Sequence, residues 1–473
     1  MLFPTVEYAL FFLVVLAVAW SLYCFPITHK SFLLLASYIF YGFWNWAYIP
    51  LLFGISLFSG LVAQRIQRSR TVSARKWWLA AGVTVCLATL GYYKYTGFLM
   101  TTLLQVWGRF APPPHIQVSS PLLPLGISFF IFHAISLLCD CYRGKVREPV
   151  NLGDALLYVA FFPQLIAGPI LRASRFLPQL AIRRNPNSIR VNRAFLLIAG
   201  GLFKKVVISN MLATRLVEPV FAVPQGFGAW DTLLAVYGYA AQIYYDFSGY
   251  TDIAIGCALL LGYRFPRNFN APYTAADPQD FWRRWHISLS SWLRDYLYFP
   301  LGGSRKGKLR TYINLMVTML LGGLWHGAAW TFVAWGGLHG FYLVVHRLWS
   351  RIGWRPLVRW RATAAWRWAS RILLFHAVCA GWVFFRASSF ATVFTVFSRL
   401  TVLGAATLAT GPVLIVLFLG LAGQYMPPRW RNGLEIELGR WPALARGAVL
   451  AVAIATIEIL GPTGVAPFIY FQF

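Results

Sequence analysis

Apolar residues in this chain come in long unbroken runs, and polar residues collect in the short stretches between them. A membrane-crossing helix needs about twenty consecutive apolar residues, whereas a barrel strand needs strict alternation over about ten. The pattern therefore predicts an all-α polytopic membrane protein. The first run, "MLFPTVEYALFFLVVLAVAWSLYCFPITHK", has no basic start and meets its first lysine at Lys30. It is expected to be a retained span with its N-terminus outside and Lys30 inside, not a cleaved leader.

Three interruptions in the apolar pattern are informative. The run at 155–171, "ALLYVAFFPQLIAGPIL", is flanked by basic loops on both sides and broken by Pro163, Gly168 and Pro169. A single crossing would put those loops on opposite faces, so a re-entrant or half-depth element is expected, which survives only when buried in protein or lining a polar cavity. The run from about 230 to 262 is too long for one straight crossing and carries Asp246 and Asp252 in "YYDFSGYTDIAIG", carboxylates that must face protein or water. In "DPQDFWRRWHISLSSWLRDYLYFPLGGSRKGKLR", 277–310, helical spacing puts Trp285, Leu289, Trp292 and Tyr296 on one face, with Arg283, Arg294 and Asp295 as polar flanks. That predicts an amphipathic helix at the cytoplasmic boundary with His286 near its start. An anchoring role at the headgroup level would need nothing more.

Composition agrees with the pattern: 58% of residues are hydrophobic and 12% charged. The net charge of +28 could suggest nucleic acid, but the basic residues sit in loops at 65–76, 143–147, 172–193, 264–310 and 347–371. Positive-inside topology accounts for most of that excess, assigns these loops to the cytoplasm and removes the case for a nucleic-acid partner. Of the six cysteines most lie in apolar runs, and Cys139-x-Cys141 is too short a pair for a zinc site without two further ligands, so buried thiols and no metal are expected. No internal repeat or low-complexity tract appears, and residues 1–473 read as a single integral-membrane domain.

The segment 320–340, "LLGGLWHGAAWTFVAWGGLHG", contains two histidines and no other ionisable residue. A titratable group in hydrocarbon is costly and needs a partner or a function. His326 follows Arg310 by sixteen positions, so an unbroken helix would carry it roughly 24 Å from the basic end, past the midplane. Gly322, Gly323, Gly327 and Ala328 beside it would let helices or a thin ligand approach closely. His339 belongs to the span returning from the same glycine-rich turn. Taken alone, His326 is as well explained as a packed, hydrogen-bonded core residue as it is by catalysis.

"QIYYDFSGYTDIAIG", "NFNAPY", "DFWRRWHISLSSWLRDYLYFPLGG" and "GLWHGAAW" together resemble the membrane-bound O-acyltransferases (MBOAT), in the bacterial branch that includes alginate O-acetyltransferase membrane subunits. "PLGISFFIFHAISLLCDCYRG", "FFPQLIAGPI" and "FIYFQF" extend the resemblance along nearly the whole chain. Peptidoglycan and cellulose O-acetylation proteins and the D-alanyl transfer protein of teichoic acids are similar in this core. The resemblance implies a ring of about 11 transmembrane helices with re-entrant elements around a central tunnel. It places the family's invariant histidine at His326 and its second, more variable position at His286. His133 stands where relatives often have glutamine.

The resemblance further implies a membrane O-acetyltransferase of the bacterial inner membrane, acting toward an extracytoplasmic polysaccharide. In that reading His326 is the general base and His286 orients or polarises the thioester, with Asp295, Trp325 and Trp285 supporting them. Acetyl-coenzyme A is the expected donor substrate, with no permanently bound cofactor, and Arg283, Arg284, Lys306 and Lys308 are the expected contacts for its phosphates. No G-x-S-x-G segment is present, so a periplasmic esterase-like acetyltransferase is the expected partner for delivery to the polymer, in a setting of membrane lipid. Two other classes fit part of the pattern. A transporter would share the broken helices but usually shows an inverted repeat, and a non-catalytic scaffold of a polysaccharide synthase would need neither histidine.

Overall fold

The computed structural model describes residues 3–111, 121–166, 168–461 and 469, and the described residues form helices and no strand. The "APPPH" segment lies outside them beyond Ala111, as do 462–468 and 470–473 of the C-terminal stretch. The chain divides into two compact units, Met1–Arg190 with Cys257–Pro266, and Val191–Gly256 with Arg267–Phe473.

The first unit contains α1 (Val6–Ser21), α2 (Pro26–Asn45), α3 (Ile49–Arg68), α4 (Val72–Leu90), α5 (Thr96–Trp107), α6 (Ile127–Tyr142), α7 (Leu152–Ala160), α8 (Phe162–Leu165) and α9 (Ala173–Ala181). Thr5 and Thr71 cap α1 and α4 through their hydroxyls, and prolines open α2 and sit in the first turn of α3, where the missing N–H is tolerated. The first apolar run therefore holds a span that ends at Ser21, and Lys30 lies within the next helix, paired with Asp154 at 2.6 Å. Every residue of α6 from Ile127 to Leu138 is buried, which makes it the core of this unit, packed by α3, α4, α7 and α9.

The broken run at 155–171 folds as the short helices α7, buried from Leu157 on, and α8, wholly buried, both too short to cross a bilayer. The Tyr158 hydroxyl donates to the Leu171 carbonyl at 2.8 Å, and the Leu171 N–H donates to His133 Nε2 at 3.2 Å. Buried side chains thus satisfy the backbone where the helix fails. All six cysteines are free, and Cys24 is exposed rather than buried, with its sulfur accepting from Arg183.

In the second unit, α10 (Val191–Leu202), α11 (Asn210–Leu212) and α12 (Glu218–Ala222) are separated by π-helical stretches at Phe203–Ser209 and Ala213–Val217. There follow α13 (Ala229–Leu260, with 257–260 in the first unit), α14 (Pro278–Arg284), α15 (Ile287–Leu293), α16 (Lys308–His326), α17 (Trp330–Trp349), α18 (Arg355–Arg361), α19 (Ala364–Arg386), α20 (Phe390–Arg399), α21 (Gly411–Ala422), α22 (Pro428–Arg440) and α23 (Ala443–Leu460). Among the described residues, four stretches are long and apolar enough to cross a membrane: Pro26–Arg68, Val191–Ala222, Ala364–Arg386 and Ala443–Leu460. This is a multi-pass membrane protein.

Two close helix contacts shape the second unit. A Cβ on Gly201 would lie 2.7 Å from the Gly249 carbonyl, so the first π-helical stretch lies tightly against α13. That approach sets Lys204 against Asp252 and Lys205 against Asp246, so Asp246 faces a buried cation and Asp252 a partly exposed one. The second contact is the α16–α17 hairpin. A Cβ on Gly323 would strike the Phe332 carbonyl, one on Gly336 the Met319 carbonyl, and one on Gly327 the Phe332 ring. Gly323 and Gly336 are therefore required by backbone-to-backbone packing of this hairpin, and Gly327 by the Phe332 ring against it.

Candidate active site

The sequence pattern predicts one helix through 277–310, but the helix breaks at Trp285 and His286. Trp285 is extended and His286 adopts φ 40°, ψ 56°, a left-handed conformation that costs a non-glycine residue about 1–2 kcal/mol. Hydrogen bonds from a distant loop hold it there. Ile287 N–H donates to the Asn268 carbonyl at 2.8 Å, and the Ser288 N–H and hydroxyl donate to Asn268 Oδ1 at 3.0 and 2.8 Å. Asn268, in "NFNAPY", thus caps α15 from outside its own chain segment and fixes the backbone that carries His286.

His326 is the last residue of α16, which is unbroken from Lys308, as the depth argument required. The two histidine rings lie 6.4 Å apart between centroids, and both residues are buried. Aromatic rings enclose them. Trp325, Trp335 and Phe385 meet His326 edge-on at 5.0, 5.0 and 5.2 Å, while Phe247 meets His286 at 4.5 Å and Phe269 stacks beyond it. His339 lies 4.8 Å from Trp335 on its other side. Trp335 Nε1 and His339 Nε2 are buried and make no hydrogen bond among the described residues, and both sit beside Gly381, where a Cβ would lie 3.1 Å from the imidazole. They are buried, unsatisfied polar atoms next to the paired histidines.

The other expected site residues are distributed as follows. Trp325 bridges the two histidines, 6.0 Å from His286, whereas Trp285 stacks on Phe281 and tilts against Trp382. Asp295 lies on the π-helical turn Arg294–Tyr298 and pairs with Arg294 at 2.7 Å. Arg284 is held by Asp280 at 2.9 Å and also donates to Thr274, while Arg283, Lys306 and Lys308 are exposed. Sequence reasoning missed Asn268, Trp335 and Phe385. Of these only Asn268 lay in a stretch that carried the resemblance.

Asn268→Ala removes the acceptor for two hydrogen bonds inside a buried site. It is expected to lower stability by about 1–3 kcal/mol and to reduce turnover as His286 loses its orientation. Melting temperature and initial rate measured on the same preparation check this, with Asn268→Asp expected to recover part of both.

Residues 127–385 match the family model of the membrane-bound O-acyltransferases, a segment that contains both histidines. The chain belongs to that family. It is 38% identical to the probable alginate O-acetylase AlgI of Azotobacter vinelandii over 95% of this chain and 96% of that protein. It is 39% identical to the peptidoglycan O-acetyltransferase of Helicobacter pylori over 77% of this chain and 72% of that one. The teichoic acid D-alanyltransferase of Bacillus subtilis is 28% identical over 61% of this chain. Membership makes the chain an acyltransferase.

Proposed function

We propose that this protein moves acetyl groups from cytoplasmic acetyl-coenzyme A to a hydroxyl reached from the outer side of a bacterial inner membrane, serving O-acetylation of an extracytoplasmic polysaccharide. The observation that carries the reading is the approach of His286 and His326 to 6.4 Å inside an aromatic enclosure. The names of the alginate and peptidoglycan relatives support acetyl as the group and a glycan as its destination.

In the proposed step, neutral His326 takes the proton of the acceptor hydroxyl as its oxygen attacks the thioester carbonyl carbon. His286 donates a hydrogen bond to the carbonyl oxygen as it becomes an oxyanion. The tetrahedral intermediate collapses with cleavage of the C–S bond, and the leaving thiolate takes the proton from His326. Trp325 keeps the two imidazoles in register, Trp285 packs the segment behind His286, and Asp295 with Arg294 steadies the turn after α15. The aromatic walls exclude water that would otherwise hydrolyse the thioester. Exposed Arg283, Lys306 and Lys308 supply a positive field that draws the anionic donor to the cytoplasmic face. The family match runs through the sequence of both compact units, which supports treating the chain as one catalytic domain.

The acceptor in this reading is the serine of a periplasmic esterase-like acetyltransferase, which then modifies the polymer. Reconstitution tests that relay. Proteoliposomes with luminal donor are expected to acetylate exterior polymer only when the periplasmic partner is added. Equal acetylation by the membrane protein alone would remove the relay and make the polymer the direct acceptor.

A further inference from the structure

A cavity of about 260 Å³ opens between the start of α14, the middle of α16 and the C-terminal end of α17, lined by Gln279, Leu315, Leu343, His346, Arg347 and Arg351, among others. Arg347 is half-buried, and among the described residues its Nε is a buried donor that makes no hydrogen bond and no ion pair engages the rest of its guanidinium. Arg351 donates to the Tyr312 hydroxyl at 2.8 Å and leaves the rest of its fork without a protein acceptor among the described residues. Asp277, near this wall, caps α14 and stands 3.7 Å from His346 Nε2. Leaving a guanidinium N–H buried without an acceptor is costly, and an anion entering the cavity removes that cost.

We propose that this cavity binds a phosphate group, and that the phosphate is the one carried by the thioester donor. The donor assignment rests on the acetyl-transfer reading above. Its geometric support is the distance along the hairpin. Leu315 precedes His326 by eleven positions on one continuous helix, about 16 Å along its axis. An extended pantetheine arm is comparable in length to about five extended residues, on the order of 16 Å, so the thioester reaches His326 when the phosphate sits at the Leu315 wall of the cavity. Gly340 packs on Met316 and Arg347 lies seven positions beyond it, so Arg347 extends its long side chain toward that wall from about 10 Å further along the hairpin. The cavity also lies at the end of α17 that enters the basic 347–371 loop, the face on which a cytoplasmic donor would arrive. Leu315 and Leu343 give the arm an apolar wall, and His346 and Gln279 give the phosphate two further partners. The same phosphate chemistry is offered by an anionic lipid headgroup, and the test separates the two.

The experiment uses the full chain in nanodiscs of neutral phosphatidylcholine and titrates coenzyme A, with pantetheine, which lacks phosphate, as the comparison ligand. Arg347→Gln is expected to weaken coenzyme A binding about tenfold, Arg347→Gln with Arg351→Gln further, and Arg347→Lys less, with pantetheine binding unchanged throughout. The Arg347 side chain makes no hydrogen bond among the described residues, so melting temperature should stay near wild type and guard against misfolding. Wild-type affinity for coenzyme A in the double variant overturns the site. If the variants instead lose only retained phosphatidylglycerol when that lipid is added, the donor assignment is overturned in favour of a lipid headgroup. Binding of coenzyme A through Arg347 by a protein that transfers no acetyl group would leave the site standing and remove the catalytic reading alone.

Discussion

Replacing His326 with alanine is expected to lower acetyl turnover by about 10²–10⁴-fold, the usual contribution of a positioned general base. The loss should appear in the rate far more than in the fold. The α16–α17 hairpin is held by the contacts of Gly323 and Gly336 with the facing backbone, and aromatic edges surround the His326 ring. His326→Gln, which keeps volume and hydrogen-bonding capacity but cannot take up a proton near neutral pH, should be nearly as inactive. Initial rates measured beside melting temperature in detergent check both variants. Wild-type turnover in either one would remove His326 from the chemistry.

Lys205→Ala is expected to destabilise the protein by about 3–5 kcal/mol, because it leaves the Asp246 carboxylate buried without its cation. The two side chains are 1% and 3% exposed, and Asp246 also accepts from the Ile469 N–H at 2.8 Å. Tyr250 places its ring 5.5 Å from the Lys205 ammonium. Replacing both charges, Lys205→Met with Asp246→Leu, should recover most of the loss, since an apolar pair carries no uncompensated charge. Unfolding in a denaturing detergent series reads the order wild type, double variant, single variant. A single variant as stable as wild type would show that the pair contributes nothing to holding the π-helical stretch on α13.

The histidine-bearing hairpin was the most legible part of the chain because one chemical exception, an imidazole in hydrocarbon, coincided with glycines whose packing role follows from their size. The broken element at 155–171 was legible for a similar reason: Pro163, Gly168 and Pro169 interrupt the backbone whatever surrounds them. The break at His286 was not. No glycine or proline marks it, helical spacing continues across it, and the left-handed turn is imposed by Asn268, eighteen residues upstream. Tertiary hydrogen bonds of that kind leave no local pattern. Lys204 and Lys205 stood in plain view inside an apolar run, and the rule that led to Asp246 and Asp252 required partners for those carboxylates. Pairing the two pairs of charges across the sequence would have docked α10 and its π-helical extension on α13. Of the phosphate contacts expected from charge, Arg283, Lys306 and Lys308 are exposed and Arg284 is paired with Asp280, and the positive-inside loops supply far more cations than any ligand needs.

In the proposed reaction His326 drives transfer of an acetyl group across the membrane from a thioester donor. Proteoliposomes loaded with radiolabelled acetyl-coenzyme A, with an acceptor hydroxyl and the periplasmic partner supplied only outside, measure that directly. Label should accumulate on the exterior acceptor with wild-type protein and stay at background with His326→Ala. Exterior label arriving at the same rate with both proteins would contradict it.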